Sequence, residues 1–179
     1  MRVAALCFAL ILSACSRPHW NMTDISGSMP RLAFNLGGVT ADRFHGKVVA
    51  LYFGYTHCPD VCPTTLSDLT QMLAEVKNPN VVVLFVTVDP DRDTDAVLAQ
   101  YAKAFSPQVT GLRGDANQLA ALARTYRVAY SVKKGPPYEV MHSNAVFFFD
   151  PRGRARLVTT DTSDPYRMAD DVKRLLQGI

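Results

Sequence analysis

Three short runs constrain this chain more than anything else in it. Val48 to Phe53, Val81 to Val88 and Ala145 to Phe149 are apolar, rich in β-branched and aromatic side chains, and do not alternate with polar residues. A strand with one wet face alternates, whereas a strand covered on both faces reads as a continuous hydrophobic run. The three runs are therefore expected as central strands of a sheet with cover on either side. Helical spacing fills the gaps: Pro63 to Val76, where Leu66, Leu69, Leu73 and Val76 recur at offsets of three and four, then Asp95 to Phe105 and Asn117 to Tyr126.

Near the end, Asp150-Pro151-Arg152-Gly153 predicts a turn between two strands, and Ser163-Asp164-Pro165 predicts the cap and first residue of a last helix. Strand, helix, strand and helix, followed by a hairpin and a helix, with a cysteine pair directly after the first strand, predict an α/β chain of thioredoxin-like fold. Gly37 to Lys47, with Phe34 and Leu36 before it, is expected as an added N-terminal β-hairpin. No repeat or second linker interrupts residues 30–179, which are expected to form a single domain. A net charge of +3, from 19 basic and 16 acidic side chains, is too small and too scattered for a nucleic-acid surface.

The N-terminal residues Met1 to Cys15 combine one positive charge, an apolar run and small residues, the pattern of an export signal. The run is about a dozen residues, short of the roughly 20 that span a bilayer, so a permanent membrane helix is the weaker reading. Leu12-Ser13-Ala14-Cys15 resembles a bacterial lipobox, which predicts a signal peptide over residues 1–14, lipidation of Cys15 and a polar tether over residues 15–29. Of the four cysteines, only Cys58 and Cys62 would then remain as thiols, in an exported setting where disulfides persist.

Those two lie in Gly54-Tyr55-Thr56-His57-Cys58-Pro59-Asp60-Val61-Cys62-Pro63. Pro63 suits the first position of a helix, which puts Cys62 near the N-cap and Cys58 in the loop before it. The helix dipole and unpaired amides there favour a thiolate. Dithiol oxidoreductases usually have two residues between their cysteines; three stand here, which lets both sulfurs aim at one metal and still permits a disulfide, catalytic or structural. Structural zinc wants four ligands, and two cysteines cannot make a Cys₄ or Cys₃His set; the C-x-x-C-H of haem attachment is absent. A third ligand has to come from histidine. His19 falls in the tether, His45 in an exposed turn, and His57 adjoins Cys58, where neighbours seldom aim at one point. His142, in the loop entering the strand Ala145 to Phe149, can reach the pair, although a lone histidine is often structural. Two thiolates and an imidazole suit copper as Cu(I) or Cu(II).

With Tyr52 to Pro63, Val88-Asp89-Pro90-Asp91-Arg92-Asp93-Thr94, and His142-Ser143 followed by Asp150 to Gly153, the sequence resembles the Sco/SenC copper chaperones over residues 31 to 179. The resemblance implies that Cys58, Cys62 and His142 bind one copper ion and that the two cysteines can form a disulfide. It implies a membrane-tethered domain on the periplasmic side and delivery of copper to the binuclear site of cytochrome c oxidase, on its copper-bearing subunit. Other copper chaperones and a thioredoxin-like reductant are further implied partners. Asp89 would lie near the metal and tune it; otherwise it caps the helix from Asp95. A thiol:disulfide oxidoreductase that reduces the target's copper-ligand cysteines would use the same pair, while a peroxidase has no support beyond the fold. One departure stands out: the family commonly has Asp before the histidine, and this chain has Met141. The change removes a negative charge from beside the site, and Met141 is expected to pack.

Overall fold

The computed structural model describes residues 19–178; the expected signal peptide and Cys15 lie outside them. The three apolar runs do become fully buried strands: β4 (Val48–Gly54), β5 (Val81–Thr87) and β9 (Val146–Phe149). With β1 (Thr23–Asp24), β6 (Val109–Leu112) and β10 (Ala155–Thr159) they form a six-stranded sheet in the order β1-β10-β9-β4-β5-β6. β4, β5 and β6 are parallel, with Leu51 opposite Leu84, and β9 turns antiparallel on β4, with Val49 opposite Phe149.

Cover comes from both sides, as unalternating strands require. Ala50, Tyr52, Phe85 and Phe148 pack under α1 (Val61–Val76), α2 (Asp95–Phe105) and α4 (Pro165–Leu176). Leu51, Phe53, Leu84 and Phe147 pack under α3 (Ala116–Thr125) and the N-terminal residues Leu36 and Phe44. Asp115 caps α3 in a reciprocal box with Gln118, and Asp164 caps α4 ahead of Pro165. The Asp150 turn joins β9 to β10, its carboxylate accepting from the N–H groups of Arg152 and Arg154.

Four expectations shift. The N-terminal hairpin is shorter than Gly37 to Lys47: β2 (Asn35–Leu36) pairs with β3 (Val39–Thr40) around Gly37 and Gly38, both at positive φ, and residues 41–44 turn into a 3-10 helix. The tether expected to run to residue 29 is, from Trp20 on, packed onto the domain. Trp20 and Met22 are buried, β1 pairs with β10, and the buried Asp171 of α4 accepts from the N–H groups of Asn21 and Met22 at 2.9 and 2.8 Å. Helix α1 begins at Val61, so Cys62 is its second residue and Pro63 its third; a missing N–H there still costs no intrahelical bond. Finally, His142 is not in a loop. It ends β8 (Glu139–His142), which pairs with β7 (Tyr130–Lys133) in a separate two-stranded sheet. No helix among the described residues is long and apolar enough to cross a membrane.

Candidate metal centre

Strand β4 ends at Gly54, and the chain enters a loop before α1. Gly54 is required there by space: a Cβ would stand 2.9 Å from the Cys62 sulfur and 2.5 Å from the Phe85 ring. The first amides of a helix lack partners, and a side-chain oxygen usually accepts from them. Asp60 precedes α1 but its side chain makes no capping bond; instead the Cys62 N–H donates to the Cys58 sulfur at 3.3 Å. Sulfur thus fills the role of a cap, at the positive end of the helix dipole.

The two thiols consequently differ. Partial burial works against a Cys58 thiolate, but hydrogen bonds from the Cys62 amide and thiol, the Asp60 amide and Tyr55 outweigh it, and its pKa falls below the usual value. Cys62 is fully buried, and burial pushes its thiol up to about 12 despite a lowering backbone bond. The expectation that the helix start favours a thiolate therefore holds for Cys58 only. Desolvation, which penalises the charged form, overrides the helix dipole one turn further in.

His142 is brought to this pair from 80 residues away, its Nε2 lying 3.3 Å from the Cys62 sulfur. Its Nδ1 is 3.0 Å from the Ser143 carbonyl. A carbonyl can only accept, so the proton sits on Nδ1 and the Nε2 lone pair faces the sulfurs. Burial lowers the pKa of the ring, against that bond, and favours the neutral form. Tyr55 and Tyr52 meet the ring edge-on, at 5.8 and 6.1 Å. The two sulfurs and a ring nitrogen lie within 4.8 Å of one another. Beside them opens a cavity of about 500 Å³ walled by Tyr55, Pro59, Val61, Val140 and Met141.

His19, His45 and His57 are not in this group. His57 is half exposed and turns to Asp93, 3.5 Å away. Met141 is 70% exposed and so does not pack as expected. Asp89 is buried but caps no helix; Thr94 caps α2, and the Asp89 carboxylate accepts from Tyr138 at 2.8 Å and from Arg92. Sequence reasoning missed Asp93. Fully buried, it accepts from the Thr56 N–H and from the hydroxyls of Thr56 and Thr87, tying the cysteine loop to the end of β5. A third acid in the Asp89-to-Thr94 segment, after Asp89 and Asp91, was its one visible sign.

Comparison with known proteins places the chain. The SCO1/SenC family model matches residues 32–177. The mitochondrial SCO2 homolog of Bos taurus is 42% identical over 73% of this chain and 52% of its own length, and the mitochondrial SCO1 homolog of Homo sapiens 39% identical over 67% and 44%. The chain thus spans about half the length of these curated relatives. Arabidopsis thaliana ScoI with copper bound superposes with a TM-score of 0.73 at 33% identity, covering 79% of this chain and 91% of that one. Apo Sco1 of Thermus thermophilus gives 0.75 at 34%, covering 87% and 98%. These neighbours share the thioredoxin-like architecture derived above, and the chain belongs to the SCO1/SenC family.

Proposed function

We propose that the protein is a metallochaperone that holds one copper ion through Cys58, Cys62 and His142 and delivers it to the binuclear copper site of cytochrome c oxidase. The observation that carries this reading is the convergence of two sulfurs and a deprotonated imidazole nitrogen within 4.8 Å. The donor set fits copper: soft thiolates and imidazole suit Cu(I) and tolerate Cu(II), and three donors satisfy copper where structural zinc wants four. Copper-bound ScoI of Arabidopsis thaliana, at 33% identity, supports the same cargo. The recipient class rests on the resemblance to the Sco/SenC chaperones carried by Tyr52 to Pro63, Val88 to Thr94 and His142-Ser143. Asp89 belongs in the account as a supporting carboxylate. Membrane tethering through a lipid on Cys15, with the domain on the periplasmic side, rests on the Leu12-Ser13-Ala14-Cys15 motif.

Titration of the full-length, reduced protein with Cu(I) and Cu(II) tests the assignment. One equivalent should bind tightly, and His142→Ala should weaken Cu(II) by at least about tenfold, since changing even a residue that only hydrogen-bonds a ligand costs about that much. Undiminished binding in that variant refutes it.

A second reading, reduction of the target's copper-ligand cysteines, draws on the asymmetry of the pair. A half-buried, acidified Cys58 and a fully buried, protonated Cys62 are suited to act as attacking and resolving thiols. Metal-free protein should then reduce an oxidised target peptide faster than Cys62→Ser does; equal rates would remove the reading.

A further inference from the structure

His142 and the cysteines are held by different parts of the molecule. Cys58 and Cys62 hang on the junction of β4 and α1, while His142 sits on the β7–β8 hairpin, which has no ladder to the six-stranded sheet. The third donor is therefore placed by whatever fastens the hairpin. At its base the Ser143 N–H donates to the Ala129 carbonyl at 2.9 Å. Further out, the Tyr138 hydroxyl donates to Asp89 Oδ1 at 2.8 Å, and Arg92 donates to Asp89 Oδ2. The Arg92 guanidinium lies 4.0 Å over the Tyr138 ring and 5.8 Å over that of Tyr55, which itself stands edge-on to His142. Lys134 pairs with Asp91 across the same gap.

Asp89 is a fixed post. It is 1% exposed, its N–H donates to Thr87 Oγ1, and its carbonyl accepts from the N–H groups of Arg92 and Asp93. Along extended backbone, alternate residues share a face, so Tyr138, Val140 and His142 point the same way. Accordingly Val140 and His142 are half-buried, while Glu139 and Met141 are exposed.

We infer that Asp89, Arg92 and Tyr138 form a clasp that positions His142 against the dithiol, and that opening it withdraws the imidazole from copper while the two sulfurs keep hold. The inference rests on the three-ligand reading above. It makes Arg92 and Tyr138 positioning residues and gives Asp89 a mechanical role. The expected partition follows from donor chemistry: two thiolates suffice for Cu(I), whereas Cu(II) needs the imidazole more.

The test compares full-length parent, Tyr138→Phe, His142→Ala and the double variant. Tyr138→Phe keeps the ring under Arg92 and removes one hydrogen bond to a charged acceptor, a change of roughly tenfold in an equilibrium. In metal-free protein, hydrogen exchange at the amides of residues 139–142 should quicken by about that factor. Cu(II) binding should weaken by about tenfold and Cu(I) binding by less than about threefold, and Tyr138→Phe should add nothing in the His142→Ala background. Parent-like exchange, parent-like Cu(II) binding or an additive double variant each overturns the clasp. If His142→Ala itself binds Cu(II) like the parent, the three-ligand reading fails instead, and the exchange result judges the hairpin's fastening independently. Asp89→Asn, which keeps an acceptor for Tyr138 but loses the charge that Arg92 pairs with, should fall between parent and Tyr138→Phe in exchange; exchange faster than in Tyr138→Phe counts against the arrangement.

Discussion

Gly54→Ala adds a single methyl group at the junction of β4 with the cysteine loop. The backbone of Gly54 is not at positive φ, so the substitution costs nothing in conformation and acts through space alone. The new Cβ would lie 2.5 and 3.1 Å from two carbons of the Phe85 ring and 2.9 Å from the Cys62 sulfur. Carbon contacts are comfortable at about 3.5–4.0 Å, so the overlap is on the order of 1 Å. Nothing nearby yields easily. Phe85 is fully buried, with Tyr52 and Tyr101 packed on it at 5.9 and 5.6 Å, and β4 and β5 are locked by a ladder that pairs Gly54 with Thr87. Overpacking of this kind costs about 1–3 kcal/mol. For a domain of this size each kcal/mol lowers the melting temperature by about 2–4 °C, so the expected drop in a thermal melt of metal-free protein is about 2–12 °C. Part of the strain is relieved by pushing the sulfur aside, and copper affinity should fall alongside, by about tenfold for each 1.4 kcal/mol that reaches the site. Gly54→Ala with Phe85→Leu, which shortens the offending ring, should cost less than the two single changes added together. A variant melting within about 1 °C of the parent would show that the strand junction is looser than the reasoning requires.

Asp171→Ala strands the N–H groups of Asn21 and Met22, which the carboxylate now accepts. Stability should fall by about 1–3 kcal/mol in a denaturant titration, and limited proteolysis should cut earlier at residues 19–24. Asp93→Ala removes three hydrogen bonds between the cysteine loop and β5. It should cost a similar amount, about 1–3 kcal/mol, and weaken copper binding without touching a ligand. Cys62 sets an alkaline limit. Its folded-state pKa is raised from 9.0 to about 12, so the protonated thiol's contribution is fully present below pH 9 and is lost as the pH rises from 9 towards 12, by at most about 4 kcal/mol. Cys62→Ala should flatten that part of the stability-against-pH curve of the metal-free protein, and an unchanged slope would mean that burial does not hold the thiol protonated.

Periodicity and local chemistry were enough to read much of this protein from its residues. Strands buried on both faces announce themselves as unalternating runs, and α2 and α3 were legible to within a residue at each end because three-four spacing and capping side chains are properties of adjacent positions. The cysteine pair was likewise visible, since the spacing that lets two sulfurs meet is set within one loop and one helical turn. The acidity of those sulfurs was not. Dipole reasoning treats Cys58 and Cys62 alike, but desolvation is the work of every neighbour that excludes water, and it separated them. Short edge elements also escaped. β1, β7 and β8 owe their existence to partners, and so does the packing of Trp20, which sits in residues polar enough to look like a linker. His142 is the sharpest case. A single histidine carries no periodic signal, and only the folded chain decides that a detached hairpin, fastened at Asp89, turns this imidazole and no other towards Cys62. What depends on neighbours in sequence was written in the sequence; what depends on contacts between distant residues had to await the fold, because burial and convergence are properties of space.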